Sequence, residues 1–115
     1  MSRVTPATYD IRIPQRATLE EVITLKADDQ PVNLVGYTVV AQIWKTEKRR
    51  EKIADLTVTY LDRAAGAIKL SLSRAQTRAI KSGGYWDMLV IEPGGAADYW
   101  LEGLVILDVG LADDQ

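Results

Sequence analysis

Paired carboxylates recur along the chain: Glu20 with Glu21, Asp28 with Asp29, and Asp113 with Asp114. Two carboxyl groups held at a fixed separation can divide the acid and base roles of a hydrolysis, and several together can hold calcium. None of these pairs has the calcium-loop spacing with glycine at its sixth position, and turns and tails favour such residues for backbone reasons alone. The other parts of hydrolytic chemistry are missing. With no histidine and no cysteine in 115 residues, the chain lacks the group that titrates nearest neutral pH, a thiolate nucleophile, the usual zinc ligands and any disulfide. No nucleophile, base and metal set can be assembled, so the expectation is a protein that is not an enzyme and uses no cofactor. Asp87, the one acid inside a central strand, reads as structural, accepting hydrogen bonds from a nearby turn or facing solvent.

Side chains suited to contact are better supplied. In the segment NLVGYTVVAQIW, Val40, Gln42 and Trp44 share one strand face with Thr38, opposite the small aliphatic set Val39, Ala41 and Ile43. An indole on an exposed strand face is a residue type that anchors interfaces, and the alternative is that a loop or the helix covers it within the monomer. The run KTEKRREK, Lys45 to Lys52, holds five basic and two acidic residues, Arg49 and Arg50 at its centre. It reads first as a solvated loop and second as a grip on an acidic protein surface or nucleic acid. Tyr99 and Trp100 stand beside a glycine-rich loop, where two aromatic rings could stack on a sugar or close the end of a β-sandwich.

These residues must be positioned by strands, because period-two alternation dominates in short runs separated by turn residues every ten or so positions. Seven strands are expected: Tyr9 to Ile13, Leu19 to Lys26, Tyr37 to Trp44, Ile53 to Tyr60, Ala67 to Leu72, Tyr85 to Ile91 and Tyr99 to Val109. Adjacent Glu20 and Glu21 break the alternation of the second and suggest a bulge there. The polar run Asp28 to Pro31 is read as a turn. Ser73 with Gln76 three residues on forms a capping-box signature, so a short helix is expected over Arg74 to Lys81, stopped by Gly83 and Gly84. In the last strand the alternation sets Leu101, Gly103, Val105, Leu107 and Val109 inward and Trp100, Glu102, Leu104, Ile106 and Asp108 outward.

At this length one domain with one core is the default, here residues 9–110, flanked by an N-terminal arm over 1–8 and an acidic tail over 111–115. A net charge of −2 is too balanced to advertise nucleic acid or an anionic membrane. No apolar run reaches the roughly 20 residues that span a bilayer, and the start MSRVTPATYD has no signal-peptide pattern, so no membrane partner is expected.

The order of short signatures is more specific than the strand count. LVGYTVVAQIW, GAIKLSLSRAQTRAI, GGYWDML and EGLVILDV together resemble a family of small phage-encoded immunoglobulin-like domains, similar to the N-terminal domain of the upper baseplate protein of some tailed phages. Leu34, Gly36, Tyr37, Gln42 and Ile43 occupy the first signature; Gly66, Ile68, Leu70, Leu72 and Thr77 the second. Trp86, Asp87 and Met88 form an aromatic, aspartate and aliphatic triplet, and Gly103 with Val105 closes the pattern, which spans about residues 9 to 110. The resemblance implies an all-β immunoglobulin-like β-sandwich of about seven strands with one short helix. It also implies a virion structural protein, made in the host cytoplasm, that acts as an adaptor or accessory subunit of the tail, baseplate, fibre base or neck. The partners expected are other virion proteins and copies of itself, with Val40, Gln42, Trp44, Arg49, Arg50 and Trp100 as candidate interface residues. A capsid decoration protein and a carbohydrate-binding module for host attachment are the alternatives.

Overall fold

Alternating aliphatic residues in segments bounded by turn formers fold the described residues into ten strands and one helix. The computed structural model describes residues 7–46 and 51–110. The elements are β1 (Ala7–Thr8), β2 (Ile11–Pro14), β3 (Leu19–Thr24), β4 (Lys26–Ala27), β5 (Gln30–Pro31), β6 (Thr38–Trp44), β7 (Lys52–Asp62), β8 (Ala67–Leu72), α1 (Arg74–Ala79), β9 (Gly84–Ile91) and β10 (Ala97–Asp108). Eight strands form one sheet, in the order β1-β10-β9-β6-β7-β8-β3 with β2 also on β10, while β4 and β5 make a separate hairpin. All pairings are antiparallel except those of β1 and β2 with β10.

The sheet curls into an all-β sandwich because β7 serves both layers. Its first half pairs with β6, from Lys52 opposite Trp44 to Leu56 opposite Ala41, and its second half pairs with β8, from Thr57 opposite Ser71 to Asp62 opposite Ala67. Between the layers lies one apolar cluster. Val39, Ala41 and Ile43 of β6, Trp86, Met88 and Val90 of β9 and Val105 of β10 share it with Leu19 and Ile23 of β3 and Ile68, Leu70 and Leu72 of β8. Alternation assigns all of these inward except Leu19 and Ile23 of β3, and burying a valine, leucine, isoleucine or methionine side chain contributes about 1.5–3 kcal/mol of transfer free energy.

Several expectations need correction. The first expected strand starts late, as β2 at Ile11, with Tyr9 and Asp10 outside it, and a further short strand, β1, lies in the segment expected as an N-terminal arm. Glu20 and Glu21 mark no bulge, since β3 pairs with β8 in unbroken register from Leu19 opposite Leu72 to Thr24 opposite Ala67. The register shifts fall instead at Ile43/Trp44, Tyr60/Asp62 and Tyr99/Leu101. The run read as a turn contains a tighter one: Asp28 and Asp29 alone make the β4–β5 turn, both at positive φ (53° and 64°), the geometry of a two-residue hairpin turn that Asp tolerates. Val109, expected inward, is exposed.

The helix is shorter than expected and its capping box is present. Ser73 Oγ accepts from the Gln76 N–H, and the Gln76 side chain accepts from the Ser73 N–H, satisfying two donors that the first turn would leave open. Fully buried Thr77 donates through Oγ1 to the Ala17 carbonyl at 2.7 Å, Gln15 Nε2 donates to the Ile80 carbonyl at 2.8 Å, and Arg74 Nε donates to the Arg16 carbonyl at 2.9 Å. The helix is thereby tied to the β2–β3 turn and closes one end of the sandwich, with Ile80 in the core.

The LVGY signature has a similar structural role. Gly36 at φ 84° turns the chain so that the Tyr37 N–H reaches the Leu34 carbonyl at 2.9 Å. Arg63, from the turn after β7, donates to the carbonyls of both Leu34 and Tyr37 (3.1 and 2.8 Å) while its guanidinium lies 3.6 Å from the Tyr60 ring centroid. A planar fork stacked on a ring is geometry that lysine cannot reproduce.

Candidate interaction face

Cross-strand register assembles the outer face of β6, β9 and β10 into three rows. Directly opposed residues of an antiparallel pair lie on the same side of the sheet, so Val40, Leu89 and Tyr99 form an apolar row. Gln42, Asp87 and Glu102 form a polar one, extended by Asp55 of β7, and Trp44, Tyr85 and Leu104 form a third. The face that the sequence suggested through Val40, Gln42 and Trp44 therefore exists, with all three half-buried. What one strand could not show is that Leu89, Tyr99, Tyr85 and Leu104 continue it; Leu104 is 48% exposed.

Within the polar row Gln42 is already engaged, its Nε2 donating to Asp55 Oδ1 at 2.9 Å, and Lys52 Nζ lies 3.2 Å from Asp55 Oδ2. The hydrogen bond from Gln42, then that from Lys52, holds the Asp55 carboxyl below its ordinary range. Asp87 is 5% exposed, buried between its neighbours rather than facing solvent. The Trp44 indole N–H is shielded from solvent and has no acceptor among the described residues.

Below the polar and aromatic rows the surface dips into an open concavity of about 570 Å³, lined by Asp10, Trp44, Tyr85, Asp87, Glu102 and Leu104 among others. Its floor depends on a close crossing. The Tyr9 and Asp10 junction between β1 and β2 lies over Gly103, where a Cβ would collide with the Tyr9 carbonyl oxygen. The same junction is fixed by the Tyr9 N–H on the Glu102 carbonyl (2.8 Å), by Asp10 Oδ1 accepting from the Leu104 N–H (2.9 Å) and by the Trp86 indole on the Tyr9 carbonyl.

Trp100 departs from its expected place. The register shift between Tyr99 and Leu101 makes it the extra residue of a bulge, so it packs half-buried against the core instead of standing outward. It lines a second groove, of about 480 Å³, with Val22, Ile23, Leu25, Tyr9 and Leu101, at the seam between β3 and β1. Tyr99 stays in the outer row, so the two rings expected to stack together on a sugar lie in different surfaces. Arg49 and Arg50 lie outside the described residues. Among the described residues no group of three or more carboxylates is arranged to hold a metal ion, and no helix is long and apolar enough to cross a membrane.

No family model matches the sequence, and neither does any curated protein. Solved structures do match. The N-terminal domain of phage TP901-1 ORF48 is similar with a TM-score of 0.58 at 12% identity, over 94% of this chain and 90% of that one. A chain in the crystal structure of ICOS with ICOS-L and an anti ICOS-L VNAR domain is similar with a TM-score of 0.49 at 11% identity, over 91% and 56%. The fold is thus that of a phage domain across nearly its whole length, as the order of the sequence signatures implies.

Proposed function

We propose that this chain is a phage virion structural protein, an adaptor or accessory subunit of the tail, baseplate, fibre base or neck that works by protein-protein contact and not by catalysis. The observation that carries this reading is the fold shared over 94% of the chain with the N-terminal domain of phage TP901-1 ORF48. The outer face of β6, β9 and β10 supports it, because an apolar row and an aromatic row flanking a polar one is the composition of an interface core with a polar element for register. Other virion proteins, and copies of the chain itself, are the partners this reading supplies. In a symmetric particle many copies act together, so a modest contact per copy suffices.

The test is location. Gold-labelled antibody against the protein, applied to purified particles and viewed by electron microscopy, is expected to mark the tail end or neck. Label spread over the head would favour a decoration protein, and particles that never carry the protein would refute the proposal.

A further inference from the structure

Strand direction sorts the charges of this domain between its two ends. β3, β7 and β9 run toward one end while β6, β8 and β10 run away from it, so the β4–β5 hairpin, the 32–37 loop, the β7–β8 turn and the β9–β10 loop gather there. Residues 26–37, 61–66 and 92–98 at this end hold five carboxylates, Asp28, Asp29, Asp62, Glu92 and Asp98, against two cations, Lys26 and Arg63. Val35 and Leu61 share it, 60% and 51% exposed, and the Leu34 N–H on the Arg63 carbonyl at 2.6 Å brings their two segments together. Exposed aliphatic side chains with a charged surround are the composition of a contact surface.

The opposite end has the opposite sign. Residues 15–18 and 73–83, the β2–β3 turn and α1 with the segment after it, carry Arg16, Arg74, Arg78 and Lys81 and no carboxylate. Beside them stands Asp108, whose carbonyl accepts from the Gln15 N–H. Arg74 and Arg78 lie four residues apart on the helix, as do the exposed Ala75 and Ala79, so cations and small side chains form neighbouring stripes. Lys45 and Lys52 at this end are matched by Glu51 and Asp55. The side chains of residues 47–50 and 111–115 carry +2 and −2, which leaves the balance as it stands.

We propose that copies of this chain join head to tail, the acidic loop end of one copy seated on the α1 end of the next. The two ends are complementary in charge, yet they cannot meet within one protomer. The eight residues of β9, at about 3.3 Å each, hold them roughly 25 Å apart, and that separation makes the occupant a second copy. Because the two surfaces differ, the contact is heterologous: an assembly keeps an open head and an open tail until a ring closes, and otherwise extends as a filament. This rests on the reading of the protein as an assembly subunit, and it leaves the outer face of β6, β9 and β10 to other virion proteins. Exposed ion pairs are weak singly and screened by salt, so the contact is reversible and sensitive to ionic strength.

Sedimentation velocity from micromolar to millimolar protein, in about 0.05 M and about 0.5 M sodium chloride, tests it. The wild type is expected to grow past a dimer with concentration at low salt, with a dissociation constant per contact roughly tenfold higher at high salt. Asp28→Asn with Asp29→Asn blocks the head, and asparagine tolerates the positive φ of that turn. Arg74→Glu with Lys81→Glu blocks the tail. Each double variant is expected to weaken association by about tenfold or more, and circular dichroism checks that both are folded. The head variant keeps its tail and the tail variant its head, so an equal mixture is expected to associate again and to stop at a dimer. A wild type that stays monomeric, a wild type that stops at a dimer, a mixture that recovers nothing, or association indifferent to salt and to both variants overturns the proposal. Immunoblot of purified particles separates this from the virion reading: a chain present in particles but monomeric in solution sinks only the head-to-tail contact, and a chain absent from particles sinks the virion role.

Discussion

The indole N–H of Trp86 donates to the main-chain carbonyl of Tyr9 at 2.5 Å, and the Tyr9 ring meets the Trp86 ring edge-on at a centroid distance of 6.4 Å and 79°. One residue belongs to a central strand and the other to the break between the first two strands, so this contact fixes where the N-terminal segment crosses β10. Trp86 is 1% exposed. Trp86→Phe removes the donor, leaves the carbonyl short of a partner and opens a void, and is expected to cost about 2–3 kcal/mol. Urea unfolding followed by circular dichroism measures it.

Gly103 stands opposite Trp86 across the strand pair. Gly103→Ala would force its Cβ onto the Tyr9 carbonyl, and the atom in the way is backbone, which cannot swing aside. The expected loss is about 1–3 kcal/mol, the range for overpacking. Amide exchange should show lost protection at Tyr9 and Leu104, whose N–H groups bond at this crossing.

Tyr9 also reaches across the seam, its hydroxyl donating to Glu21 of β3. That hydrogen bond first, then burial and the Glu21 charge, raises the Tyr9 pKa above the ordinary 10.0. The neutral phenol is the form favoured by folding, so the stabilisation is fully present below about pH 10 and is lost as pH rises through the raised value. Wild type should therefore exceed Tyr9→Phe in stability at neutral pH by a margin that shrinks in strongly alkaline solution. A constant margin in chemical denaturation across that range would refute the assignment.

Asp55 gives the opposite sign. Its lowered pKa means stabilisation that is present above the ordinary carboxylate range and lost as pH falls through the depressed value. The group is exposed, so the effect on stability is small. Gln42→Ala should move the Asp55 titration toward the ordinary value near 3.8, read by carboxyl carbon NMR.

Trp44 behaves unlike Trp86 because its shielded N–H lacks an acceptor among the described residues. Trp44→Phe discards a donor that contributes nothing, and the change in unfolding free energy is expected to stay below about 1 kcal/mol. Trp44→Ala is expected to leave a folded monomer and to lower incorporation into particles, measured by immunoblot of purified virions. A Trp44→Ala chain that unfolds would place the ring in the core.

Local rules made much of the fold legible. Val39, Ala41 and Ile43, or Ile68, Leu70 and Leu72, declare their face by alternation alone, and Ser73 with Gln76 declares the helix start. The outward set Val40, Gln42 and Trp44 was legible for the same reason. The rest depends on pairing between distant segments. A bulge at Trp100 arises because β10 and β9 must satisfy register at both ends, and nothing within Tyr99 to Leu101 distinguishes it from regular alternation. The three rows of the outer face needed Leu89, Tyr85 and Leu104 to be brought beside β6, which only the sheet order decides. The two-residue strand β1 pairs through its backbone with β10 and carries no side-chain pattern to read.

The sharing of β7 between layers has a mechanical consequence. Pulling on the outer face through β6 loads the first half of β7, and β7 carries that load along its own backbone to the pairs its second half makes with β8. Tension applied by a neighbour is thereby spread over the main-chain bonds of both layers, so the two halves resist shear as one piece and not as two plates held only by grease.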